Sequence, residues 1–395
     1  MVPRVALVGT SGYGTVQLGL LQSFAKQGKL NLGAAVVFEP NPSLERDLAG
    51  QGCRVFPRFE DLVRAWPQLD ATLCVLPTPI HLHVPMTTAM LEAGANVLVE
   101  KPLAPTVSGA LRLGRLAEAF QRTLAVGFQY LHAPEVGDLK RRLLDGEIGR
   151  IERIDVEVQW PRGQSYYRRN AWAGRARVEG EWVLDSPVNN AMSHFLLLML
   201  FLAGEAPQLA AMPVLLQAEL YRAQAIETFD TAVLRMRTAS GVELAFAGTH
   251  SSRETVRPIV RITGTKGCGA WVQDAFARLD GPAGRWEGKA RPEADTREAM
   301  LSSVLARLRG EDAFICDAGI AAWHVRIVEA LRLGGCVHEV PAEERLNREE
   351  ARDTFTYVRC LGAALSEALR RRCSLRQTGL SWARPPLDVP LTYEP

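Results

Sequence analysis

Short apolar runs alternate with stretches of helical periodicity over the first 128 residues. The runs at 4–8, 32–38, 73–76, 97–99 and 124–127 predict strands, and Arg54-Val55-Phe56 a short further one. Between them, Leu18, Leu21 and Phe24 recur at helical spacing and stop at Gly28. Further helices are predicted over 43–49, from Pro79 to Gly94, and from about 106 to 123. Apolar strands alternating with helices of this length imply a parallel, doubly wound sheet.

The period changes after about residue 130. Residues 151–158, 231–237, 242–247 and 256–262 alternate roughly every second position, as half-buried strands do. Pro258 inside the last run predicts an edge position or a later start. Helices are predicted at 134–144, 188–203, 297–308 and 316–333, a loop at 280–284, and a helical stretch over 344–371 before a tail bearing Pro385, Pro386, Pro390 and Pro395. The pattern gives an α/β domain at 1–128, an α+β domain with a large, mostly antiparallel open sheet at 129–340, and a C-terminal helix and extended tail at 341–395. The open face of that sheet is expected to display residues such as Val233 and Leu244 and to bury them in a homodimer or tetramer.

The first strand breaks into Gly9-Thr10-Ser11-Gly12-Tyr13-Gly14 and then a helix. Glycines between a strand and a helix bring backbone close to a pyrophosphate. The usual spacing is G-x-G-x-x-G; here Ser11 takes the second glycine place and Gly12 follows it. Glu39 ends the second strand, where a carboxylate accepts hydrogen bonds from ribose hydroxyls and repels a 2′-phosphate. That favours NAD, with NADP the alternative. Taken alone, Glu39 also reads as a surface turn residue. Thr78-Pro79-Ile80-His81-Leu82-His83 and Glu100-Lys101-Pro102 follow two further strands, at the sheet edge where such folds bind ligands. His81 and His83 are two apart and share no helical face, so no metal pair is expected. In isolation Lys101 reads as a solvated lysine.

These segments, with AMLEAGANVLVEKPLAPT (89–106), VGFQYLHAP (126–134), GEIGRI (146–151) and ITGTKG (262–267), resemble the glucose–fructose oxidoreductase/inositol dehydrogenase (Gfo/Idh/MocA) family over roughly 3–335. The resemblance implies a Rossmann-like first domain and NAD(P)-dependent oxidation or reduction of a sugar, polyol or sugar-like compound. It implies cofactor contacts at Gly9, Ser11, Gly12, Tyr13, Gly14, Glu39, Pro77, Thr78, Pro79, His83, Glu100 and Lys101. Lys101 and His194 are the implied catalytic pair. The family's D-x-x-x-H pair falls on Asn190 and His194, which at four apart share one helical face if the predicted helix holds. Asn190 exchanges hydrogen bonds but holds no charge. Leu197 stands where the family often has a further acid, and Asp185 or Ser186 is expected to cap the helix, with Pro187 in its first turn.

Residues 160–175 are dense in aromatics and arginines. Stacking rings and guanidinium forks suit a polyhydroxylated or carboxylated ligand. Tyr166, Arg169, Trp172 and Arg175 are the substrate candidates, with Arg168 facing outward; simple packing of the loop is the competing reading.

Composition removes other classes. A formal charge of +2 over 395 residues gives no basis for a nucleic-acid partner, and the apolar stretch 195–202 is too short to span a bilayer. Seven scattered cysteines without a C-x-x-C pair read as reduced, buried thiols in a cytoplasmic protein. Two functions compete with simple dehydrogenation: transient oxidation by a retained NAD, and ligand binding without catalysis.

Overall fold

Strand β1 (Arg4–Val8) buries Val5, Ala6, Leu7 and Val8 completely, as a strand does when it has neighbours on both sides and helices on both faces. The structure, a computed structural model, describes residues 2–391. Helix α1 (Tyr13–Lys26), β2 (Asn31–Val36), α2 (Pro42–Gly50), β3 (Arg54–Phe56), α3 (Phe59–Ala65), β4 (Leu73–Leu76), α4 (Ile80–Glu92), β5 (Asn96–Val99), α5 (Val107–Ala119) and β6 (Leu124–Val126) complete the alternation. The sheet is parallel, in the order β3-β2-β1-β4-β5-β6. Strand order reverses between β1 and β4, which opens a crevice at their carboxyl ends.

The chain forms two compact units, 1–132 with 297–322, and 133–296 with 323–395. The return of 297–322 to the first unit differs from the single break expected near 128. Its cause is apolar: Met300, Leu301, Val304 and Leu305 join the core built by Val5, Leu7, Leu21 and Phe24.

The second unit contains α6 (Pro134–Leu144), β7 (Ile151–Gln159), α7 (Gln164–Arg168), the hairpin β8 (Arg177–Val178) and β9 (Glu181–Trp182), and α8 (Ser193–Ala203). Strands β10 (Pro213–Arg222), β11 (Thr231–Thr238), β12 (Glu243–Thr249), β13 (Val256–Gly264), β14 (Gly267–Val272), β15 (Phe276–Gly281) and β16 (Gly284–Lys289) follow. After α9 (Glu293–Leu308) and α10 (Ala318–Gly334) come β17 (Val337–Glu339), the hairpin β18 (Arg345–Glu350) and β19 (Asp353–Val358), α11 (Leu361–Arg371) and β20 (Leu387–Asp388). The large sheet runs β16-β15-β14-β13-β7-β12-β11-β10-β17, with β20 on β10. It is antiparallel except for the β7–β12 and β10–β17 pairs. Every residue of α8 is buried.

Four expectations change. Residues 344–371 are not one helix: a hairpin occupies 345–358 and only Leu361–Arg371 is helical. Pro258 lies inside the sheet, not at its edge, because its missing N–H falls where the β13–β7 register skips between Val256 and Ile259. Val233 and Leu244 lie on opposite faces, since Val233 sits opposite Ala247 while Leu244 sits opposite Met236. Both are buried, and the face of Val233, Ala245 and Ala247 is covered by Leu361, Leu365 and Ala368 of α11. Finally, Cys53, Cys74 and Cys316 are buried thiols, whereas Cys268, Cys336 and Cys360 are exposed. Of the tail prolines, Pro395 lies outside the described residues. No described helix is long and apolar enough to cross a membrane.

Candidate cofactor and substrate sites

The first unit gathers its candidate residues on the carboxyl edge of the parallel sheet. Gly9 has φ 94° and Gly12 φ 55°, both in the left-handed region that suits glycine. Gly12 is the N-cap of α1, and the first turn of that helix starts here, with the Gly14 amide donating to the Ser11 carbonyl at 2.9 Å and the Thr15 amide to the Gly12 carbonyl at 3.2 Å. Gly14 lies against the first turn: a Cβ there would meet the Gly9 carbonyl oxygen at 2.4 Å and the Pro77 ring at 3.7 Å. The turn after β1 and the Pro77-Thr78-Pro79 turn after β4 therefore meet at the switch point. Phe38 and Glu39, just beyond β2, are exposed. Left-handed glycines at a helix N-terminus and an exposed carboxylate just past the neighbouring strand fit a dinucleotide.

Two predicted contacts turn inward. His83 is fully buried; its Nδ1 lies 2.6 Å from the Pro102 carbonyl and its Nε2 2.8 Å from the Thr78 carbonyl. Burial pushes its pKa down to about 4. The ring ties the Thr78 turn to the Lys101-Pro102 turn, whose peptide bond is cis, and is not directed at a cofactor. Glu100 is also buried. Its Oε1 accepts from Gln17 Nε2 at 2.8 Å and its Oε2 from the Lys101 amide at 3.2 Å. Gly127 leaves room for it, since a Cβ there would come within 2.8 Å of the carboxylate. Glu100 thus joins α1 to the Lys101 turn.

Burial raises the Glu100 pKa to about 7, outweighing the nearby Lys101 charge. A raised carboxyl pKa means that the folded chain holds the proton more tightly. Its contribution to stability is then fullest below the ordinary value of 4.5 and is lost as pH rises through 7. Glu100→Gln should gain on the parent by about 3 kcal/mol between pH 4.5 and 8. Denaturant unfolding across that range measures it, and a constant difference would refute the account.

In the second unit, His194 occupies the first turn of α8, with its ring centroid 6.4 Å from that of Phe195. Asn190 does not share a helical face with it, because the helix starts only at Ser193. Asn190 lies in the turn before, and its Nδ2 donates to Asp185 Oδ1 at 2.7 Å. Nor does Asp185 cap α8: its Oδ2 accepts from the Gly174 amide at 2.6 Å, and its backbone carbonyl accepts from Thr228 Oγ1. The N-cap position is Met192, without a side-chain cap. Asp185 therefore fastens the end of the 160–175 loop to the turn carrying Asn190. The place where the family has an acid is amide here, and a carboxylate arrives at that amide from five residues earlier.

The loop is stacked. The Arg169 guanidinium carbon lies 3.6 Å from the Tyr166 ring centroid and 5.2 Å from that of Trp172, and that of Arg162 lies 4.7 Å from Tyr166. His250 packs at 5.8 Å from Tyr166 and its Nδ1 lies 2.8 Å from the Trp160 carbonyl. Burial drives its pKa down to about 3, so its ring is neutral. Arg175 leaves this group: it pairs with Glu227 at 2.5 Å. Arg168 is exposed and bonds Gln164. Arg162 and His250 were missed from the sequence. Arg162 was visible in the aromatic–arginine run, but His250 follows β12 and carries no local signal.

Two family models match in order. Residues 3–128 match the oxidoreductase family model with an NAD-binding Rossmann fold, and residues 136–268 match the GFO/IDH/MocA C-terminal domain. The chain belongs to the GFO/IDH/MocA oxidoreductase family. Among curated family members, it is 38% identical over 123 residues to inositol 2-dehydrogenase 4 of Saccharopolyspora erythraea, covering 30% of this chain and 36% of that one. It is 27% identical over 189 residues to inositol 2-dehydrogenase of Corynebacterium glutamicum, covering 47% and 51%. The matches thus span about a third to a half of these relatives. In fold, the family's WlbA dehydrogenase from Bordetella pertussis, solved with NADH and UDP-GlcNAcA, superposes with a TM-score of 0.68 at 22% identity, covering 85% of this chain and 97% of that one.

Proposed function

We propose that the protein is an NAD-preferring dehydrogenase that oxidises or reduces a hydroxyl-bearing carbon of a sugar or polyol. The observation that carries this reading is the glycine turn closed onto the end of β1, with exposed Glu39 beyond the neighbouring strand. Bound NAD supplies the hydride acceptor. The chain must bind the alcohol, hold its oxygen and remove the hydroxyl proton. His194, in the first turn of α8, accepts that proton on a ring nitrogen. Lys101 donates a hydrogen bond to the reacting oxygen. Asn190, whose amide nitrogen donates to Asp185, contributes a hydrogen bond to a substrate hydroxyl.

Glu39 gives the test of cofactor choice. Glu39→Ala should weaken NAD binding about tenfold, the size of a hydrogen bond to a charged group. It should also narrow the discrimination against NADP. Fluorescence titration with both nucleotides measures this; parent protein that prefers NADP would overturn the assignment. Net NADH formation with a sugar or polyol supports the dehydrogenase reading, whereas turnover without net NADH favours transient oxidation.

A further inference from the structure

The hairpin β18–β19 lies beyond the residues matched by either family model, and it reaches back to the aromatic–arginine loop. Asp353 accepts from the Ser165 amide at 3.1 and 3.3 Å and from Ser165 Oγ at 2.5 Å. It thereby fixes the start of α7, the short helix that carries Tyr166. Phe355 bridges to Gly163, and no side chain fits at Gly163 because a Cβ would lie 2.0 Å from the Asp353 carboxylate. The hairpin is itself anchored. The Val358 amide donates to the Ser251 carbonyl at 2.9 Å, and Gln224 Nε2 donates to the Thr356 carbonyl at 2.9 Å. Its turn holds Ala351 at φ 50° and Arg352 at φ 66°, a conformation that costs a side-chain-bearing residue energy. That turn places Asp353 directly after two strained positions.

The arginines of the loop divide by partner. Arg175 is neutralised by Glu227, Arg168 bonds Gln164, and Arg177 stacks on Trp182. Arg162 and Arg169 flank Tyr166, and among the described residues neither has a carboxylate oxygen within 4.0 Å. Arg169 Nη1 donates to the Tyr166 carbonyl at 2.6 Å, and Asp185 acts on the same ring from further off. Two guanidinium groups set on one ring, neither of them ion-paired, form a fork that an anionic group completes.

We propose that Arg162 and Arg169 recognise an anionic group on the sugar substrate, and that Asp353 is the positioning residue that holds their tyrosine platform in place. This rests on the second unit's being the substrate-binding part of a dehydrogenase. A carboxylate and a phosphate share the chemistry, so both belong in the test.

Protein saturated with NADH is titrated calorimetrically with D-glucuronate, D-galacturonate, glucose 6-phosphate, D-glucose and D-galactose. The acids should bind about tenfold or more tightly than their neutral counterparts. Tighter binding of the uronates than of the phosphate assigns a carboxylate, and the reverse assigns a phosphate. Arg162→Ala and Arg169→Ala should each erase most of that preference, the acids losing far more affinity than the neutral sugars. Asp353→Asn should weaken only the acids, several-fold, with Asp353→Glu restoring part of the affinity. Ser165→Ala is the milder variant should Asp353→Asn unfold, and should act in the same direction. Failure of every acid to bind, an absent preference, or a preference untouched by Arg169→Ala or Asp353→Asn would overturn the proposal. Acids that bind by these rules but produce no NADH from NAD would count against the dehydrogenase reading alone. Neutral polyols that are turned over while acids are rejected would count against this proposal alone.

Discussion

His194→Ala should lower kcat by a factor of about 100 to 10,000, the range for loss of a positioned proton acceptor, while NAD affinity stays within about twofold. The split follows from where the residue sits. His194 is held by α8 in the second unit, and the glycine turn, Glu39 and the 77–79 turn belong to the first. Removing the imidazole deletes the group that takes the hydroxyl proton but touches none of those contacts. Because α8 is wholly buried, a general loss of folding is the competing outcome, and the variant's unfolding midpoint separates the two. His194→Gln keeps the volume and a polar atom and should be equally slow. If the imidazole is the acceptor, the pH dependence of kcat/KM should lose its acid limb in both variants. Equal falls in NAD affinity and turnover, or an unchanged rate, would remove His194 from the reaction.

Gly14→Ala should cut NAD affinity more than about a hundredfold. The added carbon would stand 2.4 Å from the Gly9 carbonyl oxygen and 2.8 Å from its carbon. Both are backbone atoms, so no side chain can swing aside and the turn itself must open. Opening it moves the first N–H groups of α1 away from the place a pyrophosphate takes. Gly19→Ala is the control on the same helix: nothing lies within 4 Å of its added carbon, and alanine is the better helix former. NAD titration of the pair measures the effect. Similar affinities for the two variants would show that Gly14 is not needed for close approach.

The first unit was readable because its strands, apart from the short edge strand β3, are buried on both faces, so apolar runs mark them. The second was readable only where strands alternate. Strand β10 reads Pro-Val-Leu-Leu-Gln-Ala-Glu-Leu-Tyr-Arg, a composition that favours a helix as much as a strand. Residues 345–352 carry leucine, arginines, glutamates and alanine, again helix formers. Their reversal uses Ala351 and Arg352 where asparagine and glycine usually sit, so no turn signal exists to be read. Packing against the 160–175 loop decides the matter, and that contact spans almost two hundred positions. The candidate sites divide in the same way. Gly9, Gly12 and Glu39 announce themselves by position after a strand. The inward turn of His83 and Glu100, and the link from Asp185 to Asn190, depend on partners that no spacing encodes.

Residues 297–322 carry a consequence for the order in which the protein is made. Met300, Leu301, Val304 and Leu305 fill the core beneath β1 and α1, yet they leave the ribosome only after the whole 133–296 stretch. Until then the nucleotide-binding sheet is synthesised in full but lacks part of its interior, with Leu21 and Phe24 short of neighbours. Its closure is a late, long-range event, and until residues 300–305 emerge the nascent N-terminal sheet is a client for whatever shields exposed apolar surface in the cell.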